Sequence, residues 1–187
     1  PSRGLGDVYK RQESTYSLTT KNDKVILTYS KCKEDENYSL DSLIADLQNN
    51  LSQNSKLIID LRFNTGGNSA YFDRIVNEVL RPKNIKGIAL INEGCYSSAM
   101  YAVVALKRLG FILVGSNTGG EVCTYGELGF CDVDGWKFSV STKYFDKRKR
   151  GIHTKHFVKP DIVVSNTLQD YKNNIDAVLN KAIELLD

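Results

Sequence analysis

The strongest constraint in this sequence is a repeated alternation of two patterns. Short aliphatic runs stand at 57–61 (LIIDL), 87–91 (GIALI) and 111–114 (FILV), and stretches with helical spacing lie between them. Runs of four or five apolar residues without polar alternation are buried on both faces, as in a parallel sheet. An earlier run, 24–29 (KVILTY), leads into Leu40, Leu43, Ile44, Leu47 and Leu51, with Ser39 as the N-cap. A helix over about 70–80 stops at Arg81-Pro82, because the residue before proline is pushed out of the helical region. The segment 97–108 is apolar on most helical faces and is expected to be buried. Beyond 114 the pattern becomes strand and turn, at 128–132, at 137–141 across Asp134-Gly135, and at 162–164. A last helix over about 168–186 places Ile175, Val178, Leu179, Ala182, Ile183 and Leu186 on one face. The expected class is α/β: one layered domain with a mainly parallel sheet of successive βα units and a C-terminal amphipathic helix.

Composition narrows the function classes. The chain has 187 residues, 41% apolar and 25% charged, which is ordinary globular usage for one domain. A net charge of +3 and a single basic stretch without interleaved aromatics argue against nucleic acid as a partner. Two histidines and four cysteines lack metal-ligand spacing, so neither metal nor cofactor is implied. Residues 1–12 (PSRGLGDVYKRQ) have no apolar periodicity and read as a translated sequencing adaptor or an expression artefact. Without them the net charge falls to +1. The domain is expected to be 13–187, with an upstream part, any signal peptide included, missing.

In a parallel sheet, sites form beyond the carboxyl ends of the strands. Three loops fall there, DLRFNTGG at 60–67, NEGCYSSA at 92–99 and GSNTGGE at 115–121, and they are expected to converge on one rim. Ser97 opens a helix of small residues, where the next amide, that of Ser98, points into the same space. The helix N-terminus adds positive potential there. Gly66-Gly67 brings a second bare amide close, and a nucleophile with two donors is acyl-transfer geometry. The plainer reading of Ser97 is an N-cap, and of the glycine pairs, tight turns.

These loops, in this order and spacing, resemble the tail-specific or C-terminal-processing serine peptidases, a family that includes the core domain of tricorn protease. The likeness runs from Val25 to about Leu186. LIIDLRFNTGG (57–67) is similar to the family's DLRxNxGG element, and NEGCYSSAM (92–100) to its nucleophile segment. VGSNTGG (114–120) corresponds to its VGExTxG loop and VKPDIV (158–163) to its closing PDI strand. Tyr125-Gly126-Glu127, STKYF (141–145) and KCKED (31–35) look like a bacterial branch. The resemblance implies a crotonase-like fold, Ser97 as nucleophile, and an oxyanion hole from Gly66 or Gly67 with Ser98. It further implies a peptide or unfolded-protein substrate and an exported, periplasmic or cell-envelope location.

The chain departs from that pattern at the general base. Where the processing branch carries a lysine stands Glu121, and the tricorn-like branch takes its histidine from upstream of the core. The base is therefore expected from the missing upstream region. His153 and His156, among Lys147, Arg148, Lys149, Arg150, Lys155 and Lys159, read as solvated loop residues. Glu121 and Glu127 are candidate supporting carboxylates. Asp60 and Arg62 are expected to pair and position the glycine turn, and Cys95 to pack in the core. Cys123 and Cys131 are candidates for a disulfide in an exported protein. Two other readings remain open: a dead pseudo-peptidase that binds extended peptides by strand addition near 141–145, and a crotonase-type acyl-CoA enzyme.

Overall fold

The computed structural model describes residues 14–21, 23–52, 55–148 and 152–187. Residues 1–12, read above as an artefact, and Lys149 and Arg150 of the basic stretch lie outside them. Six strands form one sheet in the order β1-β2-β3-β4-β5-β8. They are β1 (Tyr16–Lys21), β2 (Lys24–Tyr29), β3 (Lys56–Asp60), β4 (Gly87–Ile91), β5 (Ile112–Gly115) and β8 (Ile162–Val163). β1 is antiparallel to β2, and every later pair is parallel. Three helices connect the parallel strands: α1 (Leu40–Asn50), α2 (Ala70–Ile75) and α3 (Ala99–Arg108). α2 continues as a widened π-helical turn, Val76–Leu80, up to the Arg81-Pro82 stop.

Alternation along the strands separates two cores. Val25, Leu27, Leu57, Ile59, Ala89, Ile91 and Leu113 face α1, α2 and α3. Ile26, Ile58, Ile88, Leu90 and Val114 face the other way, onto Val178 and Ala182 of the C-terminal helix. Both faces of the central strands are thus covered, which is why their sequence runs are continuously apolar.

The structure revises three expectations about the elements. The final helix is broken into α4 (Leu168–Lys172) and α5 (Ala177–Leu185), because Asn174 takes a left-handed φ of 52° and Asp176 caps a new helix through Leu179 N–H. Ile175 falls in that break and is 41% exposed rather than on the buried face. The strands expected at 128–132 and 137–141 are the turn-side half of a long hairpin, β6 (Cys123–Val133) and β7 (Trp136–Asp146), which among the described residues pair only with each other. α3 begins at Ala99, two residues later than the apolar pattern placed it.

Candidate active site

The loops after β3, β4 and β5 do meet. Tyr96 N–H donates to Asn64 O at 3.0 Å, and Gly120 N–H to Cys95 O at 2.8 Å. The Asn92 side-chain oxygen accepts from Phe63 N–H at 3.1 Å and Gly94 N–H at 2.9 Å, which holds the first two loops together.

Ser97 sits at the mouth of this junction, exposed, with φ at +55°. Ser98 takes the N-cap position of α3, but neither residue caps it through its side chain. Ser98 Oγ instead donates to Gly67 O at 2.5 Å. The N-cap reading of Ser97 is therefore not the one the fold adopts. Gly66 presses so closely on this turn that a Cβ there would lie 2.7 Å from Ser97 Cβ and 2.8 Å from Ser98 N. Its φ of +97° is a second reason for glycine.

The glycine pair divides its tasks. Gly66 N–H is occupied, donating to Asn64 Oδ1 at 2.9 Å, while Gly66 O accepts from Cys32 N–H. Among the described residues, the N–H groups of Gly67 and Ser98 have no hydrogen-bond partner. Asn64 is fully buried and also donates through Nδ2 to Tyr29 O at 2.8 Å, so it ties the glycine turn to the end of β2. Neither Asn64 nor Asn92 is assigned a role by the sequence reading. Their signal was present, since a short amide in a loop commonly satisfies a backbone N–H two residues on.

Asp60 and Arg62 do pair, at 2.7 Å, and Asp176 joins them with two further bonds to Arg62 at 2.7 and 2.8 Å. Burial opposes the guanidinium charge, but the two carboxylates outweigh it and hold Arg62 protonated. The triple contact fastens the site loop to α5, whose cap Asp176 is. Cys95 is buried, with its thiol donating to Leu61 O at 3.1 Å, and burial pushes its pKa up to about 12. It packs and is no nucleophile at neutral pH.

Glu121 follows Gly120 on the same rim, and its Oε1 lies 3.2 Å from His156 Nδ1. His156 is exposed, as expected, yet it is partnered. Glu127 stands apart on the hairpin at φ +52°, within 3.5 Å of Lys143 Nζ. Lys147, at the foot of β7, is buried, and among the described residues its Nζ has no hydrogen-bond partner; it lies over the rings of Tyr101 and Phe145 at 5.2 and 5.7 Å. Burial lowers its pKa. Cys123 and Cys131 are eight residues apart along one extended strand, about 27 Å at ~3.4 Å per residue, so they cannot bridge as the sequence allowed.

Fold and site together define an α/β domain whose parallel sheet presents a serine at a strained strand-to-helix turn beside a glycine pair. Residues 25–89 match the model of Peptidase family S41, the family to which the motif resemblance pointed. All of the chain superposes on 70% of a candidate peptidase from Parabacteroides merdae ATCC 43184, with a TM-score of 0.68 and 17% identity. A candidate S41 protease from Bacteroides fragilis NCTC 9343 gives 0.60 at 13% identity, covering 91% of this chain and 56% of that one. The photosystem II D1 C-terminal processing protease gives 0.55 at 14% identity, over 81% of this chain and 48% of that one. These likenesses establish the fold of S41 proteases, and the chain spans about half the length of the last two relatives. Among curated protein sequences, none matches.

Proposed function

We propose that this chain is the core of a serine peptidase of the tail-specific type, acting through an acyl-enzyme on Ser97. The observation that carries the reading is the turn itself: an exposed serine at φ +55° packed against Gly66, with the Ser98 and Gly67 amides free of hydrogen-bond partners among the described residues. Ser97 Oγ attacks a peptide carbonyl, and its carbon becomes tetrahedral with the negative charge on oxygen. The Ser98 and Gly67 N–H groups and the N-terminus of α3 stabilise that oxyanion. Collapse releases the amine, and water then frees the acyl group from Ser97. Gly66 and Asn64 position the hole rather than donate to the substrate. The substrate class, peptides or unfolded protein, and an envelope location rest on the family likeness. Among the described residues, no helix is long and apolar enough to cross a membrane.

The test is intact mass after treatment with a fluorophosphonate, on this chain and on Ser97→Ala. An adduct on the parent that is absent from the variant is expected. No adduct on either sends the test to a chain extended upstream, where continued absence overturns the enzyme reading and leaves the peptide-binding one. That second reading is favoured by one observation: among the described residues the outer edges of β6 and β7 pair with no other strand, so an extended peptide has an edge to join.

A further inference from the structure

We propose that the β6–β7 hairpin is a docking face for an extended, unfolded polypeptide segment with aliphatic or aromatic side chains at alternate positions. The segment lies on one face of the hairpin and not along its edge. Its capture is independent of Ser97, and only its delivery for cleavage rests on the reading of Ser97 as the nucleophile.

The register of the hairpin sorts its side chains, because directly opposite residues share a face. On one face Tyr125 stands opposite Tyr144, Cys131 opposite Phe138 and Val133 opposite Trp136, with Val140 in the same row of β7. The Tyr125 and Tyr144 rings meet there, their centroids 5.1 Å apart. The other face takes Asp132 opposite Lys137, Gly126 opposite Lys143, and Phe130 and Leu128 opposite Ser139 and Ser141. Between Tyr125 and the turn, Glu127 is the one charge that the register puts on the first face, and its carboxylate reaches over to Lys143 Nζ at 3.5 Å. The first face thus carries Tyr125, Val133, Trp136, Phe138, Val140 and Tyr144, each at least half exposed. A contiguous apolar surface of this kind marks a site of association.

Size selects the occupant. Each strand has 11 residues and spans about 37 Å at ~3.4 Å per residue, and two strands present a face roughly 10 Å wide. The ~400 Å² on offer is about half of the ~800 Å² per partner that a stable pair of folded proteins buries. A second copy seated face to face is therefore underprovided. An extended chain of about ten residues matches both dimensions, and its period of two turns every second side chain onto the apolar row. Rings of Tyr, Trp and Phe supply that contact at little cost in side-chain entropy.

The foot of the hairpin is joined to the nucleophile turn from both strands. β6 follows directly on the strip at 120–122, where Gly120 N–H donates to Cys95 O at 2.8 Å and a Cβ on Gly120 would lie 3.0 Å from Tyr96 Cα. β7 runs into Lys147, whose N–H donates to Val122 O and whose Nζ lies 5.2 Å from the centre of the Tyr101 ring. Tyr101 belongs to the first turn of α3, and its N–H donates to Ser98 O at 3.1 Å. A segment lying along the apolar face thus has one end at the rim that carries Ser97.

The test is peptide binding to the Ser97→Ala chain, in which turnover plays no part. The probe is a tryptophan-free peptide of about twelve residues that alternates Leu and Phe with Ser and Lys, followed by anisotropy of a fluorescein label. With unlabelled peptide, the emission of Trp136, the sole tryptophan, is followed as well. Saturable binding with a blue-shifted, less quenchable Trp136 is expected, and neither change with a peptide carrying Asp in place of Leu and Phe. Phe138→Ser combined with Val140→Ser is expected to weaken binding ~10-fold or more. Phe130→Ser, on the opposite face, is expected to bind like the parent, and circular dichroism checks that each variant is folded. Binding unmoved by the double variant, or lost equally in Phe130→Ser, overturns the docking face. Loss of binding when alternate peptide nitrogens are methylated also overturns it, by assigning the peptide to a strand edge. So does a concentration-dependent dimer that the double variant abolishes, since the face then belongs to a second copy. Face-dependent binding by a chain whose Ser97 never labels with fluorophosphonate supports the docking face and removes only the enzyme reading.

Discussion

At the scale of single residues, the site depends on one close approach. A left-handed φ costs a serine about 1–2 kcal/mol, and Ser97 is held there by what surrounds it. Gly66→Ala puts a methyl group where Ser97 Cβ and Ser98 N already stand and adds its own left-handed strain. We expect a melting temperature lower by roughly 2–8 °C for a domain of this size, checked by thermal unfolding. Ser97 labelling should fall by at least about 10-fold in the same variant, because the proposed oxyanion amides move. An unchanged labelling rate would show that the close packing is not what aims the hydroxyl. Ser97, Ser98 and the glycine pair were singled out through the motif resemblance, since on their own a serine before a helix and paired glycines read as an N-cap and tight turns. Asn64, Asn92 and Asp176 were not. A loop asparagine looks like any turn residue until the amides facing it are known, and Asp176 reaches Arg62 from across the chain.

At the scale of elements, the PDI ending shows how a two-residue strand is kept in place. Asp161 N–H donates to Leu113 O, and its carboxylate accepts from Leu113 N–H at 2.9 Å and pairs with Lys107 at 2.9 Å. Burial works against the charge, but the Leu113 amide and Lys107 prevail, so the carboxyl titrates below its ordinary value. A depressed pKa contributes stability above the unfolded value of about 3.9, lost as pH falls through the lower folded one. Asp161→Asn should therefore melt below the parent at neutral pH, with the difference shrinking below about pH 4. A difference that is constant across that range would remove the charge from the explanation.

The elements also divide by how they could be read. β2 to β5 were legible because both their faces are covered and each carries an unbroken run of three or more apolar residues. β1 was not, since YSLTTK buries only one end and offers two strong apolar residues. The break between α4 and α5 was hidden because apolar spacing continues through Ile175, while the Asn173-Asn174 pair that ends α4 is common on helix surfaces too. The hairpin was underestimated because β6 carries two glycines and both strands carry charges, as exposed strands do.

For the whole molecule, five of the large apolar side chains exposed on the hairpin are aromatic: Tyr125, Phe130, Trp136, Phe138 and Tyr144. Trp136 is the sole tryptophan and is 73% exposed beside the Asp134-Gly135 turn. Its emission should resemble that of free tryptophan and be quenched by acrylamide nearly as efficiently. A blue-shifted, shielded signal from the isolated chain would mean that the hairpin lies against another surface. The sheet order, by contrast, follows the chain from β1 through β5 without reversal.

That order has a consequence for timing. Ser98 reaches the Gly67 carbonyl across 31 residues, and His156 meets Glu121 across 35. No local stretch carries the site, and a chain emerging from its N-terminus presents Ser97 long before the last strand can dock. The strip at 118–123, which packs on the turn that bears Ser97, is itself held by the segment around 155–158. The pieces of the proposed site thus come together only as the fold is completed, in the order of the chain.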